Sequence, residues 1–132
     1  MGQPAAKQGD RIVATDTHIV MIPTVGGEVP TPMPHPFNGI INGQLSPNVK
    51  IMGHPAAVVG STAANTPPHI PQGGRFQRNP SNQGRITTGS RTVFINGKPA
   101  ARVGDTAITC NDPADLPVGT VVASGPVTVF IG

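Results

Sequence analysis

A short pattern occurs three times in the 132 residues. TVFINGKPAARVGDTA at 92–107 aligns with NVKIMGHPAAVVGSTA at 48–63, and a partial copy, QPAAKQGD, occupies 3–10. Each copy reads as a short V-x-I strand, a Gly turn, Pro-Ala-Ala, and then Gly-Asp or Gly-Ser. Recurrence of one supersecondary unit constrains a chain more than any local propensity, because a unit this small buries its apolar face only against its copies. Small residues at Pro-Ala-Ala let backbones approach closely. Asp10, Ser61 and Asp105 each follow a glycine at a turn, where a short polar side chain caps the backbone.

The ends complete one another. The second TVFI, at 128–131, stops where Pro-Ala-Ala should follow, while the chain begins with Pro-Ala-Ala and lacks a preceding strand. Laid end to start, residues 129–132 followed by 1–7 reproduce VFINGKPAAR with one extra residue. This predicts a closed ring of three units, roughly 1–47, 48–91 and 92–132, in one domain, with the C-terminal strand beside the N-terminus. Closure also covers strand edges that would otherwise template aggregation.

Composition agrees. Gly (17) and Pro (16) make up about a quarter of the chain, and at about 1 and 3 kcal/mol per helix-interior position they exclude a helix bundle. Charged residues are only 11%, so the chain is not of the charge-swollen disordered class, and the apolar residues gather in β-branched runs such as TVFI and GTVVASG. The fold class expected is all-β, three pseudo-three-fold β-hairpin units with long loops. A single cysteine excludes an internal disulfide. No stretch approaches a membrane span, and the N-terminus lacks a secretory signal pattern. The net charge of +3 comes from scattered basic residues with no interleaved aromatics, which argues against a nucleic-acid partner.

Two insertions separate the copies. Residues 22–39, with Pro23, Pro30, Pro32, Pro34 and Pro36, read as a stiff extended segment. Residues 71–91 are polar and basic without apolar period, and read as a loop that is mobile or laid along a partner, the bare sequence leaning toward mobile.

Metal-ligand candidates follow the repeat. His18 lies eight residues beyond Asp10, His69 eight beyond Ser61, and Cys110 five beyond Asp105. Three similar units would aim them at a common axis, with His35 as a fourth donor. His54, beside a Pro-Ala-Ala, reads as a surface residue. A full shell of His nitrogen and Cys sulfur suits one structural zinc ion; thiolate with imidazole fits zinc better than iron. An enzyme is not expected. A zinc hydrolase would need an open position and a general base, yet the chain has the single Glu28, and Asp10 and Asp105 are explained as turn residues. No H-E-x-x-H or G-x-S-x-G occurs.

The intact Pro99-Ala100-Ala101-Arg102 with Gly104-Asp105, and its degenerate copies at 4–10 and 55–61, resemble the PAAR-repeat proteins. These are the sharp tips of contractile injection machines such as type VI secretion systems and extracellular phage-tail-like particles. The resemblance covers nearly the whole chain except 71–91. It implies a cone whose three-sided base caps a trimeric β-helical spike of the VgrG type, one copy per trimer, and which helps pierce the target envelope, touching the membrane transiently. It also implies a zinc near the apex on three His and one Cys, carried over to His18, His35, His69 and Cys110, with His69 resting on the eight-residue offset. Some members carry a further Cys two residues beyond the first His; Val20 stands there. Toxin domains follow the PAAR part in some members, whereas this chain ends at Gly132 directly after the last strand, so effectors are expected only as non-covalent passengers. The apolar residues Val93, Ile95, Val129 and Ile131 are candidates for the base contact, although their alternation fits an inward orientation equally. An effector-loading adaptor on the spike is the alternative role. Assembly in the cytoplasm followed by delivery outside the cell or into a target is expected. The Pro-rich segment and basic loop lean toward the extracellular class.

Overall fold

The computed structural model describes residues 2–132, all of them in strands, turns and loops without a helix. No helix is long and apolar enough to cross a membrane. Thirteen strands follow in order: β1 (Gln3–Pro4), β2 (Arg11–Thr24), β3 (Gly27–Gly43), β4 (Lys50–Ile51), β5 (His54–Pro55), β6 (Thr62–Asn65), β7 (Arg75–Phe76), β8 (Gln83–Ile86), β9 (Phe94–Ile95), β10 (Lys98–Pro99), β11 (Thr106–Thr109), β12 (Leu116–Val122) and β13 (Phe130–Ile131).

Three antiparallel pairs, β2–β3, β6–β8 and β11–β12, join edge to edge through β3–β6, β8–β11 and β12–β2. The six strands therefore close on themselves and leave no free edge at this level. In the three pairs, Ile12 faces Gly39, Ala63 faces Gly84 and Ala107 faces Gly119. The interior is too narrow for larger side chains: a Cβ on Gly39 would lie 2.7 Å from the Phe37 ring, and one on Gly119 3.0 Å from the Ala107 carbonyl oxygen. Ile12, Phe37, Ile41, Ile86 and Val121 fill what space remains, all at most 1% exposed. At about 25 cal/mol per Å² of apolar surface, such burial is the main stabilising term of so small a domain.

At the other end sit three two-stranded ribbons, β1–β13, β4–β5 and β9–β10. The expected docking of the chain ends is present, with Gln3 opposite Ile131 and Pro4 opposite Phe130. Between ribbons and closed sheet, the Pro-Ala-Ala segments meet. The Ala6 N–H donates to the Ala101 carbonyl, Ala101 to Ala57, and Ala57 back to Ala6, each at 3.0 Å. A second cycle runs from Val103 to Pro4, Gln8 to Pro55 and Val59 to Pro99. The turns recur likewise: side-chain oxygens of Asp10, Ser61 and Asp105 accept from the backbone N–H of Lys7, Val58 and Arg102. Small side chains at these positions are what permits three backbones to hydrogen-bond around one point.

The strand alternation that nominated Val93, Ile95, Val129 and Ile131 for a partner points largely inward. Ile95 and Ile131, with Ile51, are buried in the chain's own second apolar cluster, and Val93 and Val129 pack against it. The side chains these strands turn outward are Phe94 and Phe130, both more than half exposed. Period two fixes which residues share a face but not which face meets the core.

The Pro-rich segment is extended, as its composition predicts, and runs as β3 along the whole of β2, from Arg11 opposite Ile40 to Thr24 opposite Gly27. Pro30, Pro32, Pro34 and Pro36 occupy alternate positions, so the N–H groups they lack would all have faced away from β2. Proline is tolerated on such an unpaired edge, and there it blocks further strand addition. The basic segment 71–91 is docked, contrary to its reading as mobile. Its β7 pairs with β2, with Val20 opposite Phe76 and Met21 opposite Arg75, and its β8 is a member of the closed sheet. Arg75 adds a two-pronged ion pair to Glu28.

Candidate metal centre

Above the closed sheet, β2 and β3 continue as a hairpin and carry the first groups of the site. Asp16 and His18, two residues apart, share one face of β2. His35 on β3 is the register partner of Asp16. His69 enters from the segment after β6, and Cys110 follows β11 directly. Asp16 and His18 are completely buried, His35 and Cys110 nearly so, and the His69 side chain is 2% exposed. The three imidazoles converge, with ring centroids 5.6 Å apart for His18 and His35, 5.0 Å for His18 and His69, and 5.3 Å for His35 and His69. Donor atoms of Asp16, His18, His69 and Cys110 lie within 4.8 Å of one another. His35 adjoins this set of four. His54 is exposed on β5, as a surface residue should be.

The four residues nominated from sequence therefore lie together, in a group that also holds Asp16. No motif announced Asp16; its one signal was its place two residues before His18 on a strand. Its Oδ1 accepts from the Thr109 hydroxyl and from Asn111 Nδ2, and its Oδ2 lies 2.8 Å from His69 Nε2 and 3.5 Å from Cys110 Sγ. Phe76 closes the site from the basic segment, its ring 5.8 Å from that of His18 and 5.4 Å from that of His35. Arg78 fastens the same segment, donating to Asp112 Oδ1 and the Asn111 carbonyl. Asp112 Oδ2 in turn accepts from the Ile19 N–H and lies 3.5 Å from His18 Nδ1.

Among the described residues, three buried side-chain atoms have no hydrogen-bond partner: His18 Nδ1, His18 Nε2 and His35 Nε2. Buried polar atoms without partners cost about 1–3 kcal/mol each, and three in one place call for an additional group. Burial lowers the His18 pKa below its ordinary value, despite an opposing pull from Asp112. Burial also pushes the Cys110 thiol up to about 11, with the Asp16 charge adding to the effect. In the protein alone the imidazole is therefore neutral and the thiol protonated at neutral pH. A bound cation would reverse the second of these, because a coordinating thiol gives up its proton. Neutral imidazole, sulfur and a carboxylate oxygen brought together by buried side chains fit a borderline divalent ion such as zinc.

Residues 77–132 match a family model described as PAAR motif. The matched stretch contains Pro99-Ala100-Ala101-Arg102, the third unit of the repeat and Cys110. No curated protein matches the chain. Over this stretch the chain is similar to PAAR-motif proteins.

Proposed function

We propose that the chain is the metal-stabilised tip of a contractile injection machine, seated by its ribbon end on a trimeric VgrG-like spike. The observation that supports this reading is the backbone cycle of Ala6, Ala57 and Ala101, in which the three Pro-Ala-Ala copies meet around one point. A single chain of that kind fits the end of a three-chain spike, and its three ribbons are the elements suited to meet the three subunits. Phe94 and Phe130 supply exposed apolar surface on two of the ribbons, with the partly buried Val93 and Val129 beside them.

Mechanical work at a tip demands rigidity. When a sheath contracts, force concentrates on the smallest leading area, and loops there fray unless tied. Prolines along β3 restrict its backbone. An ion held among His18, His35 and Cys110, with Asp16 and His69 beside them, would link β2, β3 and the segments after β6 and β11; zinc would supply structural cross-linking and no reaction. Assembly on the spike inside the producing cell and delivery outward follow from the same reading, and so does the carriage of non-covalent effectors.

The test is stoichiometry. Purified chain mixed with a trimeric spike and measured by native mass spectrometry should give one copy per trimer. Three copies per trimer, or no complex, would refute the capping reading. Phe94→Ser with Phe130→Ser should weaken the complex while leaving the metal content unchanged.

A further inference from the structure

The ribbon end holds a charge that nothing in the chain answers. Lys50 lies on β4, Lys98 on β10, and Arg91 in the segment that leads into β9. All three are exposed, and none is ion-paired with a carboxylate among the described residues. The ribbons have no acid to offer, because residues 2–6, 44–56, 89–100 and 125–132 contain no Asp or Glu. Elsewhere the charges balance. Lys7, Arg75, Arg78 and Arg102 each pair with a carboxylate. With these three set aside, six of the nine Lys and Arg remain, against six Asp and Glu, so the net side-chain charge of +3 belongs to this one end.

The apolar part of the same end is not uniform. Lys50, Phe94 and Phe130 hold one place in their ribbons, opposite Pro55, Pro99 and Pro4 of the three Pro-Ala-Ala copies. Their chain neighbours Ile51, Ile95 and Ile131 are all buried. Two ribbons therefore turn a phenylalanine outward, each more than half exposed, and the third turns out an ammonium. A spike of three identical subunits repeats one surface three times. That surface has to receive a phenyl ring twice and an ammonium once. An apolar wall with a carboxylate at its rim does both, since a lysine lays its stem along apolar surface and keeps its charge at the edge. A wholly apolar receptor would strand Lys50, and burying an unpaired ammonium is costly. A phosphate backbone would answer the charge but has nothing to cover Phe94 and Phe130.

Resting on the seating reading above, we propose that the receiving end of the spike is acidic, each subunit offering a carboxylate beside an apolar wall. Lys50 makes its ion pair with one subunit, while Phe94 and Phe130 fill the apolar places of the other two. Arg91 and Lys98 add to the attraction. Opposite charge speeds the approach and rejects surfaces without carboxylates; the rings supply buried apolar area.

The test mixes the full chain with the purified trimeric spike and follows association by biolayer interferometry from about 0.02 to about 0.5 M NaCl, over which the Debye length shrinks several-fold. The association rate should fall about tenfold or more across that range. The triple variant Lys50→Gln, Arg91→Gln, Lys98→Gln should associate more slowly at low salt and lose most of the salt dependence. Far-ultraviolet circular dichroism checks its fold, and Lys50→Gln alone should show the same trend more weakly. Lys50→Phe discriminates further. It makes the third ribbon like the other two but leaves a spike carboxylate unpaired, so the complex should weaken about tenfold or more. Tighter binding by Lys50→Phe, or an association rate indifferent to salt, would overturn the proposal while leaving the one-copy complex intact. No complex with the unaltered chain at any salt would refute the seating reading, and this proposal with it. Binding of duplex DNA or phosphatidylserine vesicles that the triple variant loses, with its spike complex unchanged, would assign these charges to a polyanion and refute the acidic seat.

Discussion

The Ala57 N–H donates to the Ala6 carbonyl oxygen at 3.0 Å, across an interval of the chain that contains the whole β2–β3 hairpin. Both residues are at most 1% exposed, as is Ala101, the third member of the cycle. Three backbones that meet this closely leave no room for branching at Cβ. Replacing Ala57 by Val should cost about 1–3 kcal/mol, the usual range for overpacking a tight core. Ala57→Ser, smaller and unbranched, should cost less. Urea denaturation of the two variants checks the order.

The three turn residues Asp10, Ser61 and Asp105 do the same local task with unequal support. Asp10 accepts from the Lys7 N–H and Nζ and from the Ser124 N–H and hydroxyl, in complete burial. Ser61 accepts the Val58 N–H and donates to the Gln44 carbonyl. Asp10→Ala strands the Lys7 ammonium, whose side chain is only 9% exposed, and should cost about 3–5 kcal/mol. Ser61→Ala should cost about 1 kcal/mol. Equal losses, read from denaturant midpoints at constant slope, would contradict this account of the turns.

Metal removal should loosen the apex first. The ion would bridge groups from β2, β3 and the segments after β6 and β11, so chelation should lower the melting temperature by on the order of 10 °C or more. His18→Ala, His35→Ala and Cys110→Ser should each abolish stoichiometric zinc in elemental analysis, while His54→Ala should keep it. Retention by all three would remove the site.

How much of this was legible in the sequence divides by physical kind. The repeat announced the all-β class and the pairing of residues 3–4 with 130–131, because a truncated unit at each end has one economical completion. It also led to His18, His69 and Cys110, since similar units carry equivalent positions to one place, with His35 of the Pro-rich segment added as a fourth donor. Asp16 escaped because a lone aspartate at an alternate strand position has no motif; its burial depends on Thr109 and Asn111, more than ninety residues away. The docking of residues 71–91 was hidden for a related reason. Phe76 packs on His18 and His35, and Arg78 reaches Asp112, contacts that no local composition records. The alternation at 93–95 and 129–131 revealed a strand but not its inward side, which is why Phe94 and Phe130 are the exposed pair.

Burial of Cys110 sets the alkaline limit of the metal-free protein. The thiol rises from an ordinary 9.0 to about 11 in the fold. Between those values the unfolded chain has released a proton that the folded chain still holds. Unfolding is therefore favoured as pH rises, with stability complete below about 9 and falling toward 11. The loss should reach about 2–3 kcal/mol. Cys110→Ala should flatten that part of the profile in urea titrations of chelated protein.

Metal affinity should rise with pH over a range where the fold itself is steady. His18 is held neutral by burial, its pKa lowered from 6.5, so above that pH it has no proton to release. Cys110 still carries its own proton, and an ion that takes the thiolate must expel it. One proton leaving per ion means that the apparent Kd falls about tenfold for each pH unit between about 7 and 9. Zinc competition titrations against a chromophoric chelator at stepped pH give the slope directly. A slope near one is expected for the unaltered chain and a slope near zero for Cys110→Ser, whose residual binding would involve no ionising sulfur. A slope of two would mean that a second group, such as a protonated imidazole, also gives up its proton on binding.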